Sequence, residues 1–131
     1  MTYGPSIFDH SFKAGADLRT KQYYFVEYTA VDTVNVCNAA ADRVMGVLLN
    51  EPNNNEAAAV RILGIASVIS DGSGTAIAAG DYVGANSSGK AVKKATADYS
   101  VAGMALDAST TDGKGIRVLL YPGAFFRSAG G

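Results

Sequence analysis

The chain has 131 residues, 48% of them hydrophobic and 18% charged, which suits a single folded unit with a modest core. Eleven Lys and Arg against twelve Asp and Glu leave a formal charge of -1, which excludes a general basic footprint for nucleic acid or anionic lipid. With one Cys, Cys37, and one His, His10, an intrachain disulfide and the common zinc ligand sets are out of reach, and no run nears the ~18 apolar residues of a membrane span.

The first residues, Met1-Thr2-Tyr3-Gly4-Pro5-Ser6, lack the basic and apolar regions of a secretory signal, so folding in a reducing cytoplasm is the expectation. Residues 1–17 carry Tyr3, Ile7, Phe8 and Phe12 among Gly4, Pro5 and Gly15, with neither helical nor alternating periodicity, and read as an extended N-terminal arm. A β domain is expected over residues 18–123. Its first strands are Tyr23-Tyr24-Phe25-Val26, Val34-Asn35-Val36 and Val44 to Leu49, rich in β-branched and aromatic residues. A helix over Asn38 to Asn50 competes by propensity, and Gly46 weakens it.

From Ala59 to Ser70 a longer strand alternates Val60, Ile62, Gly64, Ala66 and Val68 with Arg61, Leu63, Ile65, Ser67 and Ile69, which predicts cover on both sides. Asp71-Gly72-Ser73-Gly74 is a turn. Further strands are expected near Asp81 to Val83, Lys90 to Val92, Tyr99 to Leu106 and Gly115 to Tyr121, the last stopped by Pro122-Gly123. Residues 124–131, with Phe125 and Phe126, form a tail expected to fray.

An internal repeat organises these strands. Val44-Met45-Gly46-Val47-Leu48-Leu49 aligns with Val101-Ala102-Gly103-Met104-Ala105-Leu106 at an offset of 57 (101 − 44), and Tyr24-Phe25-Val26 with Asp81-Tyr82-Val83 at 57 (81 − 24). Val60-Arg61-Ile62-Leu63 aligns with Ile116-Arg117-Val118-Leu119 at 56 (116 − 60). Two tandem similar units are too few for a solenoid and predict an all-β fold, a small β-barrel or a compact β-sandwich without exposed edges.

Few residues offer chemistry. Gly84 to Lys90 satisfies the letters G-x-x-x-x-G-K of a phosphate-binding loop, but Ala91 stands where a magnesium-binding hydroxyl is needed and no amphipathic helix follows, so a Gly/Asn/Ser hairpin is the better reading. Cys37 sits in an apolar setting, remote in sequence from His10, as an inert buried thiol does. The carboxylates fall mostly at predicted turns, and no pair stands out for acid–base work. No catalytic, cofactor or metal residues are assigned, and no enzyme activity or small-molecule substrate is expected. Lys90, Lys93 and Lys94 form the basic cluster, read as a solvated strand edge or the rim of a contact with an acidic partner, and 50–56 as an outward polar loop.

The large apolar residues outside the repeat are costly to leave in water, roughly 1.5–3 kcal/mol each for full burial. Tyr3, Ile7, Phe8, Phe12, Phe125 and Phe126 are therefore the candidate contacts to another subunit or partner.

The blocks Ala79-Gly80-Asp81-Tyr82-Val83, Ser88-Gly89-Lys90-Ala91-Val92, Val101 to Asp107 and Gly115 to Gly123, with a looser first copy through Val44 to Leu49 and Val60 to Ala66, resemble the small capsid cement or head decoration proteins of tailed bacteriophages. The resemblance covers about Leu18 to Gly123. It implies an all-β structural protein, commonly a homotrimer, made in the host cytoplasm and placed on the outer capsid surface of the virion. There it would bridge major capsid protein subunits, without nucleic acid, membrane or cofactor. A ligand- or carbohydrate-binding β module of a phage spike, using some of the seven Tyr, is the alternative.

Overall fold

The structure, a computed structural model, describes residues 7–40, 42–94 and 100–126, with side chains placed as far as residue 121. Nine strands follow one another: β1 (Phe8–Ala14), β2 (Phe25–Ala30), β3 (Thr33–Val36), β4 (Gly46–Leu48), β5 (Ala57–Asp71), β6 (Tyr82–Ala85), β7 (Ala91–Lys93), β8 (Ser100–Ala105) and β9 (Asp112–Phe126). No helix occurs among the described residues, and the stretch that competed for one holds β4.

The strands close into two five-stranded rings that share β5. In the first, β1 runs parallel to β3, and antiparallel pairings lead from β3 through β2 and β4 to β5, which returns to β1. In the second, the later half of β5 runs parallel to β7 at Ser70 and Ala91, and β7, β6, β8 and β9 follow antiparallel back to β5. Closure leaves neither ring with a long free edge. The 15-residue β5 therefore closes one barrel with residues 57–63 and opens the next with residues 64–71.

Each ring fills with its own inward side chains. Ala14, Val26, Val34, Leu48, Ala58 and Val60 pack in the first, and Val83, Ala85, Ala91, Ala105, Ile116 and Val118 in the second. Phe25, Cys37, Val44 and Val47 point away from the first core and join the second, which glues the barrels together. The amide of Phe25 donates to the Gly89 carbonyl (2.8 Å) and that of Ile69 to the Tyr23 carbonyl (2.9 Å), adding backbone bonds across the junction.

The repeat is visible in the hydrogen-bond register. Val26 faces Val36, Glu27 faces Asn35 and Tyr28 faces Val34; Val83 faces Lys93, Gly84 faces Val92 and Ala85 faces Ala91, each displaced by 57 (83 − 26). Positive φ angles recur at the same offset, Tyr23 (69°) with Gly80 (94°) and Asp32 (53°) with Gly89 (80°). The Arg-bearing strands depart from the sequence alignment. Val47 pairs with Arg61 and Met104 with Leu119, so the true offset there is 58 (119 − 61), and Arg117 is not the counterpart of Arg61. Runs of similar apolar letters align equally well two residues out, and only the cross-strand partner fixes the register.

Two further expectations are corrected. β5 is covered on one face only along its second half: Ala66, Val68 and Ser70 are buried, whereas Ile65 and Ser67 are exposed. Pro122-Gly123 does not stop the last strand, since β9 continues to Phe126, with Phe125 opposite Val101 and Phe126 opposite Ser100. A register shift between Val101 and Gly103 accommodates the extra residues, and a bulge is where a strand tolerates a proline that lacks its N–H. Residues 127–131 lie outside the described residues.

Candidate contact surface

Strand β1 carries Phe8, His10 and Phe12 on one side by simple alternation. Their rings form a stripe that crosses to β2: Phe8 stacks on His10 at 6.3 Å, His10 meets Phe12 edge-on at 4.8 Å, and Phe12 meets Tyr28 edge-on at 5.8 Å. Phe12 is partly buried against the first core, while Ile7, Phe8 and Tyr28 are 46%, 51% and 46% exposed. Tyr28 is fixed by the Asp32 amide, which donates to its hydroxyl (2.7 Å).

The opposite side of β1 is clamped. Arg61 on β5 donates Nε to Asp9 Oδ1 (2.9 Å) and Nη2 to Asp9 Oδ2 (3.1 Å), a bidentate fork that holds the Asp9 carboxyl below the usual carboxylate range. Ladder bonds to β5 and this clamp place the aromatic stripe, which an unattached segment could not do.

Of the residues singled out in sequence, the structure brings Phe8 and Phe12 onto one stripe and leaves Ile7 exposed just ahead of β1. Tyr3 lies outside the described residues, and so do the side chains of Phe125 and Phe126, whose backbones pair with β8. His10 and Tyr28 complete the stripe and were missed. The signal was the aromatic–polar alternation from Phe8 to Lys13, obscured because a histidine does not count as apolar.

The Gly84–Lys90 motif is the β6–β7 hairpin. Asn86 Oδ1 accepts from the amides of Ser88 (2.8 Å) and Lys90 (3.0 Å), and the Asn86 amide donates to the Lys90 carbonyl (2.9 Å). Strand β7, not a helix N-terminus, follows it directly, so the backbone there is not arranged to receive a phosphate. The three lysines are not a solvated cluster either. Lys90 binds Asp112 (2.8 Å), Lys93 lies 3.6 Å from Asp81, and Lys94 is only 2% exposed, its Nζ donating to the Ala40 carbonyl (3.0 Å). Burial pushes the Lys94 ammonium down from its ordinary range. The polar 50–56 loop is likewise tied in, with Pro52 buried and its carbonyl accepting from the Leu18 amide (2.9 Å).

Ionisable groups meet beside the barrel junction. Ligand atoms of Glu27, Cys37 and Asp42 lie within 4.8 Å of one another. Burial, a hydrogen bond with Asp42 and that residue's charge push Glu27 up to about 7. Burial opposes ionisation of Asp42 as well, but the bond from Glu27 and the amides of Asn38 and Ala39 (2.9 and 3.0 Å) outweigh it and lower its pKa. Burial and the two carboxylates drive the Cys37 thiol upward, which removes it as a nucleophile or thiolate ligand near neutral pH. The opposite shifts favour a protonated Glu27 beside an ionised Asp42. His10 is held on the stripe against Phe12 and is not a member of this group.

No functionally curated protein matches the sequence. Among solved structures, the chain is similar to the head fiber gp8.5 N base of bacteriophage phi29, with a TM-score of 0.65 and 17% identity over 92% of this chain and 98% of that one, a likeness of fold. The family model described as phage cement protein matches residues 6–120, which takes in both barrels and strand β1, and the chain therefore belongs to the phage cement protein family.

Proposed function

We propose that the protein is a non-enzymatic structural element of the virion that attaches to the outer surface of the phage head and stabilises the capsid lattice. Its partner is the major capsid protein, its working form a homotrimer, and it needs no cofactor, nucleic acid, membrane or small-molecule substrate. The observation that carries the reading is the aromatic stripe of Phe8, His10, Phe12 and Tyr28, with exposed Ile7 just ahead of it, on a strand fastened into the first barrel. Tyr3, Phe125 and Phe126 are proposed to extend the contact.

The charge pattern supports a structural role. Asp9, Asp17, Asp81, Asp107 and Asp112 are each engaged by Arg61, Arg19, Lys93, Arg117 and Lys90, so these carboxylates organise the surface instead of standing ready for proton transfer. A molecule that binds only the closed lattice stabilises it by mass action, and three modest contacts on one trimer act together.

The test is co-sedimentation of the purified protein with DNA-filled heads lacking it. Wild type is expected to travel with the heads at a simple ratio to the shell subunit, and the double variant Ile7→Asp, Phe8→Asp to stay in the supernatant while keeping its β circular dichroism. Failure of wild type to bind overturns the reading, and full occupancy by the variant removes the stripe from it.

A further inference from the structure

The internal repeat leaves two ends unmatched. Within the chain, the β6–β7 hairpin of the second barrel lies on the β2–β3 side of the first: the Gly89 carbonyl accepts from Phe25, and a Cβ on Gly89 would run into the Val36 side chain. Phe25 and Val47 are fully buried against the second barrel, within its core cluster. Their counterparts on the second barrel, by the 57-residue register (82 − 25, 104 − 47), are Tyr82 and Met104. Tyr82 is 40% exposed and Met104 partly so, with Leu119 beside them 36% exposed and Tyr121 against Tyr82 at 6.3 Å.

The counterpart of the docked hairpin is equally bare. The equivalent pairs Tyr28–Val34 and Ala85–Ala91 enclose stretches of the same length, although β2 and β3 pair further, at Ala30 and Thr33, and Asp32 repeats the positive φ of Gly89. Its tip residue Val31 is 82% exposed, the most exposed large hydrophobic of the described residues. One end of the molecule thus presents an apolar tip, and the other an apolar face of the kind on which such a tip already sits inside the chain.

We propose that the Tyr82–Met104–Leu119 face receives the Val31 hairpin of a second copy of this chain, continuing between molecules the barrel-on-barrel packing found within one. The contact is heterologous, tip to face, so it propagates until a rotation closes it into a ring. This gives the self-association proposed above a surface. It does not involve the capsid, and its test uses the free protein, so its failure and that of the capsid reading are separable.

Val31→Cys and Tyr82→Cys chains of different tag length, both at exposed positions, are mixed and treated with a short bis-maleimide; Cys37 is buried and silent. The expected result is a mixed-length covalent dimer, with little product from either variant alone, and self-association of Val31→Asp weakened ~10-fold or more in sedimentation velocity. A monomeric wild type at micromolar concentration, the lack of a mixed dimer, Val31 chains linking to each other, or unchanged assembly of Val31→Asp would each overturn the proposal.

Discussion

Gly46 and Gly103 occupy the same place in successive barrels: a Cβ on either would strike a backbone carbonyl of the neighbouring strand, that of Arg61 for Gly46 and that of Leu119 for Gly103. The side chain pressed against each is also equivalent, Val60 in one and Val118 in the other. Close approach of two backbones is the reason both positions lack a side chain.

Gly46→Ala and Gly103→Ala are each expected to destabilise the protein by about 2 kcal/mol or more, because the collision is with main chain that cannot swing aside. Gly115→Ala, on β9 with open space around its Cβ, should be neutral or stabilising by up to about 1 kcal/mol. Urea denaturation of the three variants separates the outcomes, and equal effects at 46 and 115 would refute the packing argument.

Stability should depend on pH through Glu27. Its folded pKa of about 7 stands above the ordinary 4.5, so the folded state holds a proton that the unfolded chain has released. Its favourable contribution is present below about 4.5 and is lost as pH rises through about 7. Asp42, shifted the other way, acts at lower pH, where its contribution falls away as the pH drops. Thermal melts should therefore show Glu27→Gln gaining on wild type between about pH 5 and about pH 8. A constant difference across that range would mean the carboxyl pair shares no proton.

Lys90→Ala should leave the fold intact and cost at most about 1 kcal/mol, since its partner Asp112 is half exposed and such pairs contribute little. Titration with a fluorescent ATP analogue should give no saturable signal for wild type or variant. Saturable binding lost in Lys90→Ala would restore the phosphate-loop reading.

Truncation and point substitution at the N-terminus should part company. Removing residues 1–14 takes away the strand that joins β3 to β5 and uncovers apolar surface around Val34 and Val60, with an expected loss of about 2 kcal/mol or more. Phe8→Ser, at a half-exposed position, should change stability by less than about 1 kcal/mol. Calorimetric melting of both compares them directly, and an equal effect would mean that β1 adds nothing to the first barrel.

Strands β2 to β9 and the repeat were legible because β-branched clusters and turn residues are local signals, whereas β1 lies in the segment read as an extended arm. Val26 and Leu48 match Val83 and Ala105 at the offset of 57, so part of the duplicated core could be read in the letters, whereas Val60 aligned with Ile116 and not with its true counterpart Val118. What could not be read was pairing. The two-residue slip at Arg61, the bulge that carries β9 past Pro122 and the double use of β5 depend on which strand lies alongside, a long-range property. The contact stripe was half legible: Phe8 and Phe12 stand out by size, whereas Tyr28 reaches them only through the β1–β3–β2 order. Burial of Lys94 and the meeting of Glu27 with Asp42 are likewise products of topology, invisible in a sequence where such residues look solvated.

β5 belongs to both barrels without interruption. Two compartments joined by a flexible tether can swivel, and a pull on one is absorbed in the joint. Here the joint is itself a hydrogen-bonded strand, turned at Gly64 (φ 111°) where it leaves one barrel for the other, so the two barrels share a paired backbone instead of a free linker. A protein built this way resists shear between whatever its two ends hold, as a rivet does and a hinge does not.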